Sequence, residues 1–447
     1  MRHKIIFSKI NSLLRFALKN KHSRFYQKKF LTSGLRIKGL VVKDWNQFRQ
    51  LPFLTKKELR ETPAEKRLFL PPPEVTAIKY SSGTSGRPSF SYYRLHPSDR
   101  VAYRKIRQEV QLTKKVKRIL ILTVSKDAVE NYWEFYGRKL KKLVALGDVK
   151  DMRMCALLAT EMKPDMVIGS PKRVLELVKL LRIGERKNII FFVRTGDKIS
   201  ILQKRLLKSY LPHARIFRTY SPSDATAVAV DCPYLFESVN LYHVTPSVVV
   251  EVIDPVTGEN LKTGEVGELV VTKLGDLRPA FPIIRYKTGD LGSWEDTLMC
   301  RCGRRLIRIF GRASSTIATL GPFTYFRESL EKILLPFYKY LTGNLILEII
   351  PVRNKFSLQI YLEVPQRPLH SVQRRIIHAV SSHPLFYEGE PKHCCALRAR
   401  FSANDLKRAG IIKNHVTHFV RFLDYESKKW RDIVDRRTDY NPITFKE

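Results

Sequence analysis

No run in this 447-residue chain approaches the roughly 20 continuous apolar residues that a membrane-spanning helix needs. The N-terminal stretch MRHKIIFSKINSLLRFALKNKHSRFYQKKF also lacks the shape of a signal peptide. Lys9 and Arg15 interrupt its apolar part, and no small-residue cleavage site follows. Ile5, Ile6, Ile10, Leu13, Leu14, Phe16 and Leu18 instead make an irregular helical stripe with cations between. Such a helix is expected to pack on its own domain, or to lie on an anionic membrane surface as a peripheral contact. Cysteine is scarce: six residues without a secretory pattern argue for thiols in a reducing, cytoplasmic setting, not for a disulfide framework. Internal repeats and low-complexity linkers are absent, as are the Walker pattern, zinc-finger spacing and any aromatic-plus-basic RNA motif. Specific nucleic-acid recognition is therefore not expected. Negative charge is in short supply, with 42 Asp+Glu against 81 Lys+Arg and a net charge of +39. That excess attracts polyanions or nucleotide and thioester cofactors, but it runs through the chain, as lysine decoration of a solvated surface also would.

What is present is globular: 44% hydrophobic and 28% charged residues, in a chain long enough for two or more cores. Residues 1–70 read as helical and basic, and in LPFLTKKELRETP Thr55 is placed to cap a short helix. From 75 to about 230, strand-like runs (VKRILILTV, NIIFFVRTGD, ARIFRTYSPSD) alternate with helical ones such as SPKRVLELVKLLRI. That alternation predicts a parallel sheet covered by helices. From 240 to 310, PSVVVEVIDPVTGENLKTGEVGELVVTKL has the strand-and-turn texture of an antiparallel sheet or barrel. After Gly311, NLILEIIPV and FSLQIYLEV read as strands, SVQRRIIHAVSSH as a helix and KHCCALRARFS as a further strand. The fold class expected is α/β: a large N-terminal domain (residues 1–312, β-rich from about 235) and a small α+β C-terminal domain (313–447).

The stretch IKYSSGTSGRPSF poses the functional question. A strand that runs into a Gly/Ser/Thr turn presents backbone N–H groups and hydroxyls as a cradle for phosphate oxygens. Gly83 and Gly86 allow φ > 0 and close approach, Ser81, Ser82, Thr84 and Ser85 can donate, and Arg87 adds charge. A flexible surface loop would explain the same residues.

YSSGTSGRPS closely resembles the phosphate loop of the adenylate-forming ligase superfamily, and the resemblance continues in order. RTYSPSDATA stands where that family has Tyr-Gly-x-Ser/Thr-Glu, and IIRYKTGDLG matches its Tyr-Arg-Thr-Gly-Asp motif. RIFGRASSTIATLGPFTYFRESLE follows its Gly-Arg hinge. SRFYQKKFLTSGL and LPFLTKKELR look like the opening of the phenylacetate–CoA ligase branch, which includes homologues linked to capsule synthesis. The correspondence covers roughly residues 10 to 335.

The resemblance implies an enzyme that joins a small-molecule carboxylic acid to AMP from ATP with Mg²⁺, releases pyrophosphate, and passes the acyl group to CoA. It also leaves room for a non-CoA acceptor in polysaccharide or secondary metabolism, or a degenerate basic binding protein. By analogy Ser81, Ser82, Gly83, Thr84, Ser85, Gly86 and Arg87 clasp the phosphates, Arg87 replacing the usual Lys. Asp224, in place of the family's Glu, is the catalytic Mg²⁺ ligand, one methylene shorter in reach. Tyr220 stacks on adenine, Asp290 accepts the ribose hydroxyls, Arg312 contacts ribose or phosphate, and Gly321 lets pantetheine approach. The late catalytic Lys is Lys413, although no clean Gly-Lys signature surrounds it, and Ser314 stands where the hinge usually has Asp. The family rotates its C-terminal domain between half-reactions.

A second constellation is independent of nucleotide. Cys300-x-Cys302-Gly is a compact thiolate knuckle, and Cys232 and His243 supply two more N/S donors from the same strand-rich region. Together they make a candidate closed structural Zn²⁺ site; buried free thiols and a satisfied histidine are the alternative. Some members of the phenylacetate–CoA ligase branch have a similar arrangement.

Overall fold

The computed structural model describes residues 2–75, 77–80, 90–93, 115–123, 141–194, 199–222, 224–225, 228–235, 238–295, 299–312, 317–320, 323–352, 355–364, 369–381, 418–424 and 433–435. The N-terminal stripe becomes helix α1 (Arg2–Leu18), followed by α2 (Phe25–Thr32), α3 (Trp45–Arg49) and α4 (Lys56–Glu61). Ile10, Leu13, Leu14 and Ala17, spaced i, i+3, i+4, i+7, are buried, so α1 packs on its own domain. Ile5 of the expected stripe stays exposed. No helix among the described residues is long and apolar enough to cross a membrane.

Thr55 caps α4 as expected. Its side chain accepts from Glu58 N, while Glu58 reaches back to Thr55 N, closing a capping box. The cradle's flanks form an antiparallel hairpin, β1 (Ala77–Tyr80) and β2 (Phe90–Tyr93), in which Tyr80 pairs with Phe90.

A parallel run follows: β3 (Arg118–Thr123), β4 (Leu143–Asp148), β5 (Met166–Gly169), β6 (Phe191–Arg194) and β7 (Arg215–Tyr220), in the order β4-β3-β5-β6-β7. Helices α5 (Met152–Met162), α6 (Pro171–Leu180), α7 (Ile183–Arg186) and α8 (Ile201–Tyr210) lie between these strands in sequence, and α5, α6 and α8 bury apolar faces against one side of the sheet. The β-rich stretch does not form a separate barrel. Two-residue β8 (Ala229–Val230) pairs antiparallel with β7 and with β9 (Leu241–Val244). The sheet then continues antiparallel through β13 (Ile307–Arg312), β12 (Tyr286–Trp294), β11 (Gly267–Lys273) and β10 (Val248–Ile253). Helices α1 to α4 cover this antiparallel part, in one core with Tyr220, Leu269, Val271 and Tyr286.

Beyond it, β14 (Ile317–Leu320) and β15 (Phe323–Phe326) form a small ladder and lead into α9 (Arg327–Leu334). The C-terminal sheet has the order β18-β17-β16-β19, built from β16 (Leu345–Val352), β17 (Lys355–Val364), β18 (His418–Asp424) and β19 (Ile433–Asp435), with α10 (His370–Ser381) beside it. The architecture is thus a large mixed α/β unit with a smaller α+β region, as the sequence texture indicates. The strand expected over KHCCALRARFS lies outside the described residues.

Candidate active site

The site is assembled from residues far apart in sequence. In β12 the ladder to β11 bulges: Glu268 faces Leu291 and Val270 faces Lys287, so β12 takes four steps where β11 takes two. Gly289, at φ +75°, occupies this bulge and re-aims the residue after it. That residue is Asp290, 6% exposed and directly opposite Arg312 on β13. Arg312 Nε lies 3.0 Å from Asp290 Oδ1, and the Tyr220 hydroxyl donates to Oδ2 at 2.7 Å. Burial raises the Asp290 pKa above the usual carboxylate value; Arg312, Tyr220 and Lys56 pull it back. Burial and the neighbouring Asp290 charge push the Tyr220 phenol well above its ordinary range, so it remains a donor.

Asp224 is buried just past the end of β7, and its Oδ2 accepts from the Tyr286 hydroxyl at 2.7 Å. Burial and the Asp224 charge hold the Tyr286 phenol above its usual pKa. Asp224 and Asp290 both act electrostatically on Lys56. Burial lowers the Lys56 pKa, Arg312 lowers it further, and the fields of Asp224 and Asp290 raise it again. Its position is fixed through the backbone. Leu54 N donates to Arg285 O and Lys287 N to Leu54 O, both at 2.9 Å, which splices residue 54 beside Tyr286. The capping box then sets Lys56 as the first helical residue of α4. Arg67, 3% exposed, donates to Thr62 O at 3.0 Å and to Phe90 O at 2.7 Å, tying the start of β2 to the N-terminal segment.

The structure therefore brings together Tyr220, Asp224, Asp290 and Arg312, four of the residues singled out from sequence. Residues Ser81, Ser82, Gly83, Thr84, Ser85, Gly86 and Arg87, with Gly321, Ser314 and Lys413, lie outside the described residues. Sequence reasoning assigned no role to Lys56, Tyr286 or Arg67. Tyr286 was within reach, because it stands inside IIRYKTGD, and Lys56 directly follows the Thr55 cap. Nothing in the sequence marks Arg67.

The cysteine–histidine set also converges. Cys232 Sγ lies 3.5 Å from His243 Nε2 and 3.6 Å from Cys300 Sγ; Cys302 Sγ lies 3.3 Å from His243 Nε2 and 3.2 Å from Cys300 Sγ. All four donor atoms fall within 4.8 Å of one another. Bonds of about 2.0–2.3 Å to a tetrahedral zinc ion would set ligand–ligand edges of about 3.5–3.8 Å, so this donor set fits such an ion. His243 Nδ1 sits 3.0 Å from Arg305 O, a contact that leaves Nε2 to face the sulfurs. Burial lowers the His243 pKa and raises the Cys232 thiol to about 12. At Cys302 burial acts upward, but its hydrogen-bond contacts with Arg304 and Cys300 leave the thiol below its usual value.

No protein-family model matches the chain. Phenylacetate-coenzyme A ligase of Escherichia coli (strain K12) is 24% identical over 391 residues, covering 82% of this chain and 84% of that protein. The Thermus thermophilus enzyme of the same name is 41% identical over 88 residues, 19% of each chain. Among solved structures, 2-hydroxyisobutyryl-CoA ligase in its postadenylation state superposes with a TM-score of 0.69 at 18% identity, covering 98% of this chain and 90% of that one. Amide bond synthetase McbA from Marinactinospora thermotolerans gives 0.52 at 11% identity, over 79% and 66%. Over most of its length the chain is thus similar in sequence to phenylacetate-coenzyme A ligases, and it shares its fold with 2-hydroxyisobutyryl-CoA ligase.

Proposed function

We propose that this chain activates a carboxylic acid with ATP to an acyl-adenylate and pyrophosphate, then passes the acyl group to the thiol of CoA. One observation carries the reading: Asp290 with Tyr220 and Arg312, and Asp224 with Tyr286, are brought together from separate stretches of chain through one strand, β12, with Lys56 within their electrostatic reach. Attack of a carboxylate on the α-phosphorus needs little covalent help from protein; it needs aligned reactants and neutralised phosphate charge. Asp290 has two oxygens and about four lone-pair sites, enough to accept ribose hydroxyls while Tyr220 and Arg312 hold it still. Lys56 supplies a half-buried ammonium to the polyphosphate side. Asp224, oriented by Tyr286, is the carboxylate that would hold Mg²⁺, whose charge neutralises the phosphates when bound. The Ser81–Arg87 cradle joins this reading on its sequence alone. The names of the relatives, phenylacetate-CoA ligase and 2-hydroxyisobutyryl-CoA ligase, support an acyl-CoA product, and a cytoplasmic location goes with it. The Cys232–His243–Cys300–Cys302 cluster is proposed to hold a structural zinc ion that takes no part in the reaction.

The test is carboxylate-dependent ATP–pyrophosphate exchange over a panel of aryl, hydroxy and fatty acids, with and without CoA. Exchange with one acid class, and CoA-dependent AMP release with that acid, is the expected result. Exchange without thioester would move the acceptor away from CoA. No exchange with any acid, alongside salt-sensitive DNA binding, would replace the enzymatic reading with a basic binding protein.

A further inference from the structure

The first 43 residues contain twelve Lys and Arg and no Asp or Glu; the first acid is Asp44. At 42 acids per 447 residues, about four would fall in a stretch of that length. The structure makes the segment one surface. Asn11 on α1 exchanges hydrogen bonds with Val42, its Nδ2 donating to Val42 O at 2.9 Å and its Oδ1 accepting from Val42 N at 2.8 Å. Gln27 on α2 donates to Leu18 O at the end of α1. With Ile10, Leu13, Leu14 and Ala17 turned into the core, the opposite side of α1 carries Lys4, Ser8 and Arg15, and Lys19 follows just past its end, all exposed. At about 100° per residue Lys4, Ser8 and Arg15 lie within about 40° of one another. Lys21, Arg24, Lys28, Arg36, Lys38 and Lys43 are exposed around them. The ion pair found for the segment among the described residues is Lys29 with Glu58, which ties α2 to α4.

Two further features decide what such a face fits. Ile5, Leu31 and Val41 stand among the cations at 55%, 58% and 53% exposure. An open cavity of about 260 Å³ on the same segment is lined by Leu35, Arg36, Lys38, Val41, Gln47 and Gln50. The aromatic residues that would stack on nucleic-acid bases are turned inward instead: Phe7 packs on Trp45, Phe16 on Phe69, Phe25 on Phe281, and Tyr26 and Phe30 are buried. Cations with exposed aliphatic side chains and no free aromatic platform match a lipid interface.

We propose that the outer face of α1, α2 and residues 33–43 docks on an anionic phospholipid surface. The cations meet the headgroups, Ile5, Leu31 and Val41 enter the acyl boundary, and the Arg36–Lys38 cavity receives a headgroup phosphate. The site is separate from the nucleotide residues and does not depend on their role.

Flotation of the full chain with vesicles of phosphatidylcholine, with and without about 30% phosphatidylglycerol, tests this. Binding is expected only to the anionic vesicles and is expected to weaken as salt rises. Lys4→Gln/Arg15→Gln/Lys19→Gln should weaken it about a hundredfold, at about fivefold per cation, and Arg36→Gln/Lys38→Gln about twentyfold or more. A control removing Lys150, Arg153 and Lys187, exposed cations elsewhere, should bind as wild type; equal loss in the control would assign the effect to net charge and overturn the face. Each variant should keep the wild-type melting temperature. Equal binding to neutral vesicles, or capture of an oligonucleotide without anionic vesicles, overturns the proposal. Release from vesicles by inorganic phosphate at constant ionic strength would show an ordinary phosphate site instead of a lipid one.

Discussion

Asp290 is held by two unlike partners, the Arg312 guanidinium and the Tyr220 phenol, on opposite oxygens. Deleting it removes the ribose acceptor and leaves Arg312 without its partner carboxylate. Lys56 differs: it opens α4 within the electrostatic reach of both carboxylates, and is proposed to meet the polyphosphate, not the ribose. The two residues therefore predict different losses in nucleotide titrations. Asp290→Ala should weaken ATP and AMP alike, by about a hundredfold or more, because AMP keeps the ribose. Lys56→Gln should weaken ATP about tenfold while AMP binding stays unchanged, and Lys56→Arg should restore most of it. Equal losses of ATP and AMP in Lys56→Gln would put that ammonium away from the polyphosphate. Asp224 and Asp290 were legible in the sequence because each sits within a short ordered motif. Lys56 was not, since its meaning comes from the backbone splice of Leu54 beside Tyr286, more than two hundred residues later.

Among the elements, the knuckle braces the strands that carry the site. Cys232 follows Asp231, whose carboxylate takes Arg218 Nε at 2.8 Å with both side chains fully buried. Arg218 also donates to the carbonyls of Leu235 and Ser238, each at 2.7 Å, closing the loop between β8 and β9. Tyr220 lies two residues beyond Arg218 on the same strand, and His243 pairs with Val230 across the ladder. Metal analysis of the purified chain should find close to one zinc per molecule. Chelation or Cys300→Ser should lower the unfolding midpoint by several degrees, and it should also weaken nucleotide through Tyr220. A metal-free chain that melts at the wild-type temperature would reject the ion. The four Cys and His donors were readable as one cluster from their residue types and shared region. The continuity of the sheet was not, because two-residue β8 joins its halves and carries no pattern of its own. The hairpin β1–β2 was half legible for the same reason: the four residues of β2 were not recognised as a partner strand.

At the scale of the whole molecule, the C-terminal region reaches the large unit through the first turn of α8. Leu202 is buried among Leu330, Leu334, Phe337, Leu341 and Leu345, a core that belongs otherwise to the C-terminal region. Glu331, 3% exposed, accepts the Ile201 N–H at 2.8 Å while Arg327 pairs with its other oxygen at 2.9 Å. A helix start has unpaired N–H donors and a partial positive charge, so a carboxylate from the neighbouring region acts there as a second cap beside Ser200. Asn240 Nδ2 to Glu328 Oε2 at 2.7 Å and Gln203 Nε2 to Asn344 Oδ1 at 3.2 Å add polar contacts at the same seam. If the C-terminal region turns between half-reactions, as the family resemblance implies, these are the bonds that must open. Polar bonds suit a seam that opens, because water can replace them, whereas the buried Leu202 has no such substitute. Glu331→Ala strands a buried donor and should cost about 1–3 kcal/mol of local stability, seen as faster amide exchange over residues 201–204. Glu331→Gln retains an acceptor and should recover most of that protection, losing only the charge. Unchanged exchange in Glu331→Ala would show that Leu202 and its apolar neighbours hold the two regions together without the carboxylate.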